Sequence, residues 1–394
     1  MVLNEEQMMV RDMARTFAED KLKPFAATWD RGHTFPREAI REMGTLGLMG
    51  MLVPEEYGGA ATDHVTYASA LEEIAAGDGS CSTIMSVHNS VACMSILKYG
   101  TQDQKQRFLV PLARGTHLGA FCLTEPQAGS DASALKTLAR RAADRYVLDG
   151  TKQFVTSGST ADTAIVFAVT DPSAGKRGIT AFIVPTNTEG YHATRVERKM
   201  GQHASDTVQI IFENMEISED YRLGEEGGGY KIALGSLEGG RIGIASQAVG
   251  MARAALEASV SYAKERETFG RKLGNHQAVA FRLADMATRI EASRQLVMHA
   301  ANLRDAQLPC LQEASMAKLF ASEMAEWVCS SAIQIHGGYG YLEDFPLERI
   351  YRDVRVCQIY EGASDIQRLL IARQIFGSSF SDVRQEPQSA QSGQ

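Results

Sequence analysis

Tyr146-Val147-Leu148-Asp149-Gly150-Thr151-Lys152-Gln153-Phe154-Val155-Thr156 is the stretch on which the fold turns. β-Branched and aromatic residues flank an Asp-Gly pair, and such pairs supply the positive φ angles of a tight turn. The stretch therefore predicts two strands joined as a hairpin at Asp149-Gly150. Similar short runs follow at 165–169, 179–184 and 208–212, inside a segment from Gly119 to about Gly224 whose texture differs from its surroundings. Taken alone, these runs describe any β domain, with or without a ligand.

On both sides the pattern is helical. From Asn4 to His117 the chain is rich in Ala, Met, Leu and Glu, punctuated at Gly58-Gly59, Gly77-Asp78-Gly79 and Pro111. Asn4 and Gln7 have the spacing of a helix cap and its reciprocal partner. Met9, Met13 and Phe17 then recur along one helix face. Helices return after Gly227-Gly228-Gly229. Between His276 and Gln307, Val279, Leu283, Met286, Ile290, Val297 and Ala300 keep helical spacing, and Pro309 closes the run. A helix of about 30 residues is roughly 45 Å long, so it packs in a bundle or at a subunit interface. Residues 378–394, rich in Ser, Gln and Asp, read as a disordered tail. The expected class is α+β: a helical domain over 1–118, a β domain over 119–226 and a helical domain over 227–377. No internal repeat is present. No alternating βαβ pattern, G-x-G-x-x-G, G-x-x-x-x-G-K-[ST] or G-x-S-x-G motif appears, so a nucleotide would be held without a Rossmann or P-loop cradle.

Composition narrows the function classes. A chain of 394 residues exceeds one compact core. With 44% hydrophobic and 22% charged residues it has a globular balance, and no apolar run reaches the roughly 18 residues of a membrane span. The formal charge of -8 and the scattered basic residues exclude nucleic acid as the main partner. The six cysteines form no C-x-x-C and the nine histidines no H-E-x-x-H, so no metal site is expected and the cysteines read as reduced. Because the helical pattern starts near Asn4, no room is expected for a secretory or transit peptide, and the chain reads as cytoplasmic.

Three segments carry candidate chemistry. In Ile359-Tyr360-Glu361-Gly362-Ala363-Ser364-Asp365-Ile366-Gln367, Ser364 and Gln367 have capping-box spacing, which places Glu361-Gly362 in the loop before a helix. Apolar neighbours would desolvate Glu361 and make it a stronger base for carbon acids. On these residues alone, a solvated glutamate beside a helix start is the plainer reading. Phe121-Cys122-Leu123-Thr124-Glu125-Pro126-Gln127-Ala128-Gly129-Ser130-Asp131 reads as a strand ending at Thr124, then a loop that binds an anion or simply turns. Gln334-Ile335-His336-Gly337-Gly338-Tyr339-Gly340-Tyr341 reads as a helix exit, or as bare backbone against a bulky ligand.

In this order and spacing, the three segments resemble the signatures of the acyl-CoA dehydrogenase family. Glu265-Arg266-Glu267-Thr268-Phe269-Gly270 and Arg352-Asp353 join the match, which spans roughly residues 4–376. The resemblance implies an N-terminal α-helical domain, a middle β-barrel-like domain and a C-terminal four-helix bundle, assembled as a homotetramer (a dimer of dimers) that binds FAD. It implies Glu361 as the base that removes the α-proton of an acyl thioester. Phe121, Leu123, Thr124, Gly129, Ser130, Phe154, Thr156, Ala363 and Asp365 would contact FAD. Arg266, Phe269, Gln277, Gln334, Gly337 and Gly338 would reach the FAD of the adjacent subunit. Ser130, Glu238, Arg241, Tyr360 and Gly362 would meet the acyl-CoA, and electrons would leave to an electron-transferring flavoprotein. Some family branches carry the glutamate immediately before the arginine of Leu237-Glu238-Gly239-Gly240-Arg241; here that position is Gly240.

The chain departs from the common pattern at Phe154, often Trp in the family, at Gln127, often Gly, and at Ala363, often Thr. Its motifs are most similar to short-chain and isobutyryl-type members. They imply a short or branched acyl group, in fatty acid metabolism or branched-chain amino acid catabolism. Two other readings share the scaffold. An oxidase or flavin monooxygenase is disfavoured by chain length and by the presence of Glu361. A silent acyl-CoA-binding protein is disfavoured by intact Thr124, Thr156, Arg266 and Glu361.

Overall fold

Asn4 opens the first helix, Glu5–Phe17, as its spacing with Gln7 predicts. The Gln7 N–H donates to the Asn4 side chain at 2.8 Å and the Asn4 N–H to the Gln7 side chain at 3.0 Å. Two donors orphaned by a helix start are thereby satisfied. The structure, a computed structural model, describes residues 2–377; the tail expected at 378–394 lies outside them. Further helices follow as far as Ala113. One of them, His64–Gly77, is buried along nearly its whole length, because it lies between the N-terminal helices and those that close the chain.

From Gly119 the chain forms strands β1 (Gly119–Cys122), β2 (Leu138–Ala142), β3 (Arg145–Thr156) and β4 (Thr163–Val169). They are followed by β5 (Ile179–Pro185), β6 (Tyr191–Val196), β7 (Thr207–Ser218) and β8 (Arg222–Leu223). One eight-stranded sheet runs in the order β6-β7-β3-β2-β4-β5-β8, with β1 parallel to β4. The hairpin expected at Asp149-Gly150 does not form. Both residues lie inside β3, which stays paired with β7 while the register slips between Leu148 and Gly150. The Asp-Gly pair supplies a positive φ (150° at Gly150), but it serves a bulge rather than a turn. Glycine is required there, since a Cβ would meet the Thr137 Cα at 2.6 Å. The tight connection falls one strand earlier, at Ala143-Asp144 between β2 and β3. β1 also ends before Thr124, at Cys122.

The C-terminal helices are Gly229–Glu265, Gln277–Asp305, Leu311–His336, Leu347–Val354 and Ser364–Phe376. The second is the helix expected over 276–307. Gly229–Glu265, 37 residues and about 55 Å long, packs against His64–Gly77 on one side and Leu311–His336 on the other. Ile242, Ala245 and Val249 share one buried core with Ala68, Ala75, Ala321 and Val328. Each buried Ile or Val contributes about 1.5–3 kcal/mol, and the many alanines let the helices approach closely.

A buried polar hub ties the textures together. The Tyr360 hydroxyl donates to Gln247 Oε1, accepts from Gln202 Nε2 at 3.4 Å and lies 3.4 Å from the Thr83 hydroxyl. The Gln202 N–H donates to Asp353, and Arg349 lies 3.7 Å from Asp353 and 3.8 Å from Asp78.

Candidate active site

Glu361 sits between a 3₁₀ turn, Arg355–Gln358, and the helix Ser364–Phe376. Its φ is +50° and that of Gly362 is +93°. Glutamate in the left-handed region costs on the order of 1 kcal/mol and persists only where its surroundings over-determine it. The Lys318 ammonium donates to the Gly362 carbonyl at 2.7 Å. Gln367 Nε2 donates to the same oxygen at 2.8 Å and to the Glu361 carbonyl at 3.3 Å. The capping box expected from Ser364 and Gln367 is therefore absent. Ala363 is the N-cap, Gln367 turns back to hold the loop carbonyls, and Ser364 Oγ is buried without a hydrogen bond. Asp365 points outward and pairs with Arg368 at 3.3 Å.

Glu361 as a whole is half-buried, but both carboxylate oxygens are buried and neither has a hydrogen-bond partner among the described residues. Burial pushes this carboxyl up to about 7, against the opposing pull of Lys318 and Arg241. Arg241 is itself buried, with Nε and Nη1 unpartnered; burial lowers its pKa while Glu361 and Glu238 hold it up. Burial likewise lowers Lys318, to about 8. Gly240 faces the carboxylate, since a Cβ there would lie 1.9 Å from Glu361 Oε2. Glu238 turns to Arg304 at 3.2 Å and accepts from the Cys310 thiol at 3.5 Å. A dry carboxylate that titrates near neutrality is suited to removing a proton from carbon.

The β domain presents a second group. Between Lys152 and Val155 β3 bulges again, and Phe154, at φ +57° and 62% exposed, is thrown outward. The Gln153 N–H donates to the Thr124 carbonyl at 2.8 Å, and the Lys152 ammonium reaches the Leu123 carbonyl at 3.2 Å. Leu123 and Thr124 are thereby strapped to the bulge that carries Phe154. Phe121 packs edge-on to Phe167 at 5.0 Å. Gly129 and Ser130 stand on the exposed loop beyond.

Sequence reasoning missed what shapes that loop. Glu125, 3% exposed, accepts from Lys152 at 2.7 Å, from the N–H groups of Lys136 and Thr137 at 2.6 and 3.0 Å, and from Gln127 at 2.7 Å. Burial raises its carboxyl, but Lys152 and these donors outweigh burial and hold it below the ordinary range. Lys318 was missed too. A lone lysine within Ala314-Ser315-Met316-Ala317-Lys318-Leu319-Phe320-Ala321 was the available signal.

At the far end of Gly229–Glu265, Arg266, Gln334, Gly337 and Gly338 line a cavity of about 520 Å³ together with Tyr262 and Leu342. Phe269 projects beside it, 97% exposed, from a two-residue turn whose other member is Gly270. Gln277 begins the next helix, next to His276, which meets the Phe269 ring edge-on at 6.1 Å. A flavin nucleotide fits what these surfaces offer. Phe154 and Phe269 present free aromatic faces, Arg266 a cation, and Gly129, Gly337 and Gly338 bare backbone with nothing within 4 Å of an added Cβ. Among the described residues, no cluster of His, Cys, Asp and Glu is placed to hold a metal ion, and no helix is long and apolar enough to cross a membrane.

Comparison with known proteins agrees along the whole described chain. Residues 4–116, 120–215 and 227–376 match the N-terminal, middle and C-terminal domains of acyl-CoA dehydrogenase. An acyl-CoA dehydrogenase of Bacillus subtilis is 48% identical over 96% of this chain and 100% of its own. A short-chain specific acyl-CoA dehydrogenase of Clostridium acetobutylicum is 45% identical, covering 95% and 99%. The solved butyryl-CoA dehydrogenase of Megasphaera elsdenii superposes with a TM-score of 0.94 at 42% identity, covering 95% and 99%. The chain thus belongs to the acyl-CoA dehydrogenase family, an oxidoreductase acting on CH–CH bonds with FAD as its cofactor.

Proposed function

We propose that the chain desaturates a short or short branched-chain acyl-CoA between its α and β carbons, with Glu361 as the base. The observation that carries this reading is the Glu361 carboxylate: buried, without a hydrogen bond, and raised to about 7. Such a group changes protonation state near neutral pH without first breaking a hydrogen bond. Glu361 takes the α-proton of the thioester, and the product is the 2-enoyl thioester. FAD, when bound, supplies the acceptor for the β-hydrogen, which leaves as hydride.

In this reading Arg241, Tyr360, Gly362, Glu238 and Ser130 orient the substrate. Phe121, Leu123, Thr124, Gly129, Ser130, Phe154, Thr156, Ala363 and Asp365 hold the cofactor. Arg266, Phe269, Gln277, Gln334, Gly337 and Gly338 complete the cofactor site of a neighbouring subunit in a homotetramer. The exposure of Phe269 supports this last assignment, because a bare aromatic tip is otherwise a liability. A short-chain specific relative and a butyryl-CoA dehydrogenase neighbour support a small acyl group. The same proposal gives electrons to an electron-transferring flavoprotein and places the enzyme in the cytoplasm. Six free, buried cysteines suit such a reducing compartment.

Anaerobic titration with butyryl-, isobutyryl- and octanoyl-CoA tests the reading, with Glu361→Gln alongside. A short thioester should bleach the flavin of the parent and not of the variant. Equal bleaching in both would remove Glu361 as base. A parent reduced only by the octanoyl ester would remove the short-chain assignment.

A further inference from the structure

The Glu361-Gly362 turn is left-handed at both residues, and its carbonyls are gripped from one side by Lys318 and Gln367. Lys318 stands out because its side chain is fully buried in the helix Leu311–His336. Among the described residues its single hydrogen bond is to the Gly362 carbonyl, a neutral acceptor, and it has no salt-bridge partner. An ammonium buried without a salt-bridge partner is costly, so its retention calls for a task that a neutral donor could not perform.

We propose that Lys318 is a positioning residue for the base: it fixes the Glu361-Gly362 turn through the Gly362 carbonyl and places a positive charge behind the carboxylate. The inference rests on Glu361 being the base. Around that carboxylate stand Arg241 from Gly229–Glu265, Lys318 from Leu311–His336 and Tyr67 from His64–Gly77, with Cys357 facing Lys318 from the 3₁₀ turn. The only cations in this set are Arg241 and Lys318, and both favour the ionised base against the burial that opposes it. Once Glu361 has taken the substrate proton it is neutral, and both cations then face the negative charge developing on the thioester. Lys318 therefore acts before proton transfer, by keeping the base ionised, and during it, through the field it leaves behind.

Charge and geometry separate experimentally. Lys318→Gln keeps a donor for Gly362 and loses the charge, Lys318→Met loses both, and Gln367→Leu loosens the turn without changing any charge. The pH profile of kcat is the readout, on flavin-loaded enzyme with butyryl-CoA. Both Lys318 variants should move the acid limb up by about one pH unit and lower kcat at pH 7 roughly fivefold, as expected when a carboxylate loses a nearby opposite charge. Gln367→Leu should lower kcat and leave the limb in place. An unmoved limb in both Lys318 variants overturns the proposal. Should neither Lys318 variant fold, reciprocal coupling gives the answer: the Lys318 ammonium, followed by nitrogen NMR, should titrate lower in Glu361→Gln than in the parent. An unchanged Lys318 titration there overturns it equally. Flavin reduction by Glu361→Gln would sink the base reading itself. An inactive Glu361→Gln with an unmoved limb in both Lys318 variants sinks only the role of Lys318.

Discussion

A Cβ built on Gly240 lies 1.9 Å from Oε2 of Glu361, so the missing side chain at 240 is the condition for the carboxylate's place. Two segments more than a hundred residues apart in sequence aim at one point. This is the geometric sense of the family alternative, in which the glutamate precedes the arginine of the Gly229–Glu265 helix.

Gly240→Ala should push the carboxylate aside and lower kcat by roughly 10–100-fold, because misplacing a base by about 1 Å costs that much. The fold should not suffer, since alanine is better than glycine inside a helix by about 1 kcal/mol. Paired measurements of kcat and Tm check this. Loss of both together would mean that the substitution disrupts the helix packing instead. The exchange Glu361→Gly with Gly240→Glu should recover part of the activity that Glu361→Gly alone loses.

Glu361→Gln should stabilise the protein at pH 8. The folded carboxyl titrates near 7 against an ordinary 4.5, so above pH 7 the native state carries a buried charge that the unfolded chain would solvate. The gain should be roughly 1–3 kcal/mol at pH 8 and vanish below about pH 4.5, where both states are protonated. Urea melts of the two proteins across that range test the sign. A gain that grows toward acid pH would refute it.

Lys152→Met should destabilise by about 3–5 kcal/mol, because it leaves the Glu125 carboxylate buried without its cation. The double change with Glu125→Gln should cost less than the sum of the single changes. Flavin should leave the Lys152 variant more readily, since Lys152 also holds the Leu123 carbonyl. A single-variant loss under about 1 kcal/mol would show that water enters and solvates the pair.

The architecture was legible where one local signal acts alone. Asn4 and Gln7 announced a cap, and the spacing from Val279 to Ala300 announced a helix that runs from Gln277 to Asp305. Legibility failed where the same local chemistry serves two ends. Asp149-Gly150 offers a positive φ to a turn or to a bulge, and the pairing of β3 with β7, a long-range matter, decides for the bulge. Ser364 and Gln367 have the spacing of a cap, but Gln367 finds the Glu361 and Gly362 carbonyls instead. β2 escaped notice because two arginines interrupt its five residues. Glu361, Arg241 and Tyr360 could be named from motifs alone. The roles of Lys318, Glu125 and Lys152 could not be read there, because they depend on burial, which three-dimensional packing creates.

Tyr360 has a hydrogen-bond partner in every texture of the chain, Thr83, Gln202 and Gln247 among them, and stands next to the base. The chain therefore has three textures without three modules. A helical or β segment exchanged for that of another protein must bring the same polar partner to the same hydroxyl, or strand it in a dry interior. Recombination of such segments is thus confined to near kin, and change of specificity in this lineage is expected to proceed by substitution around Glu361 rather than by swapping parts.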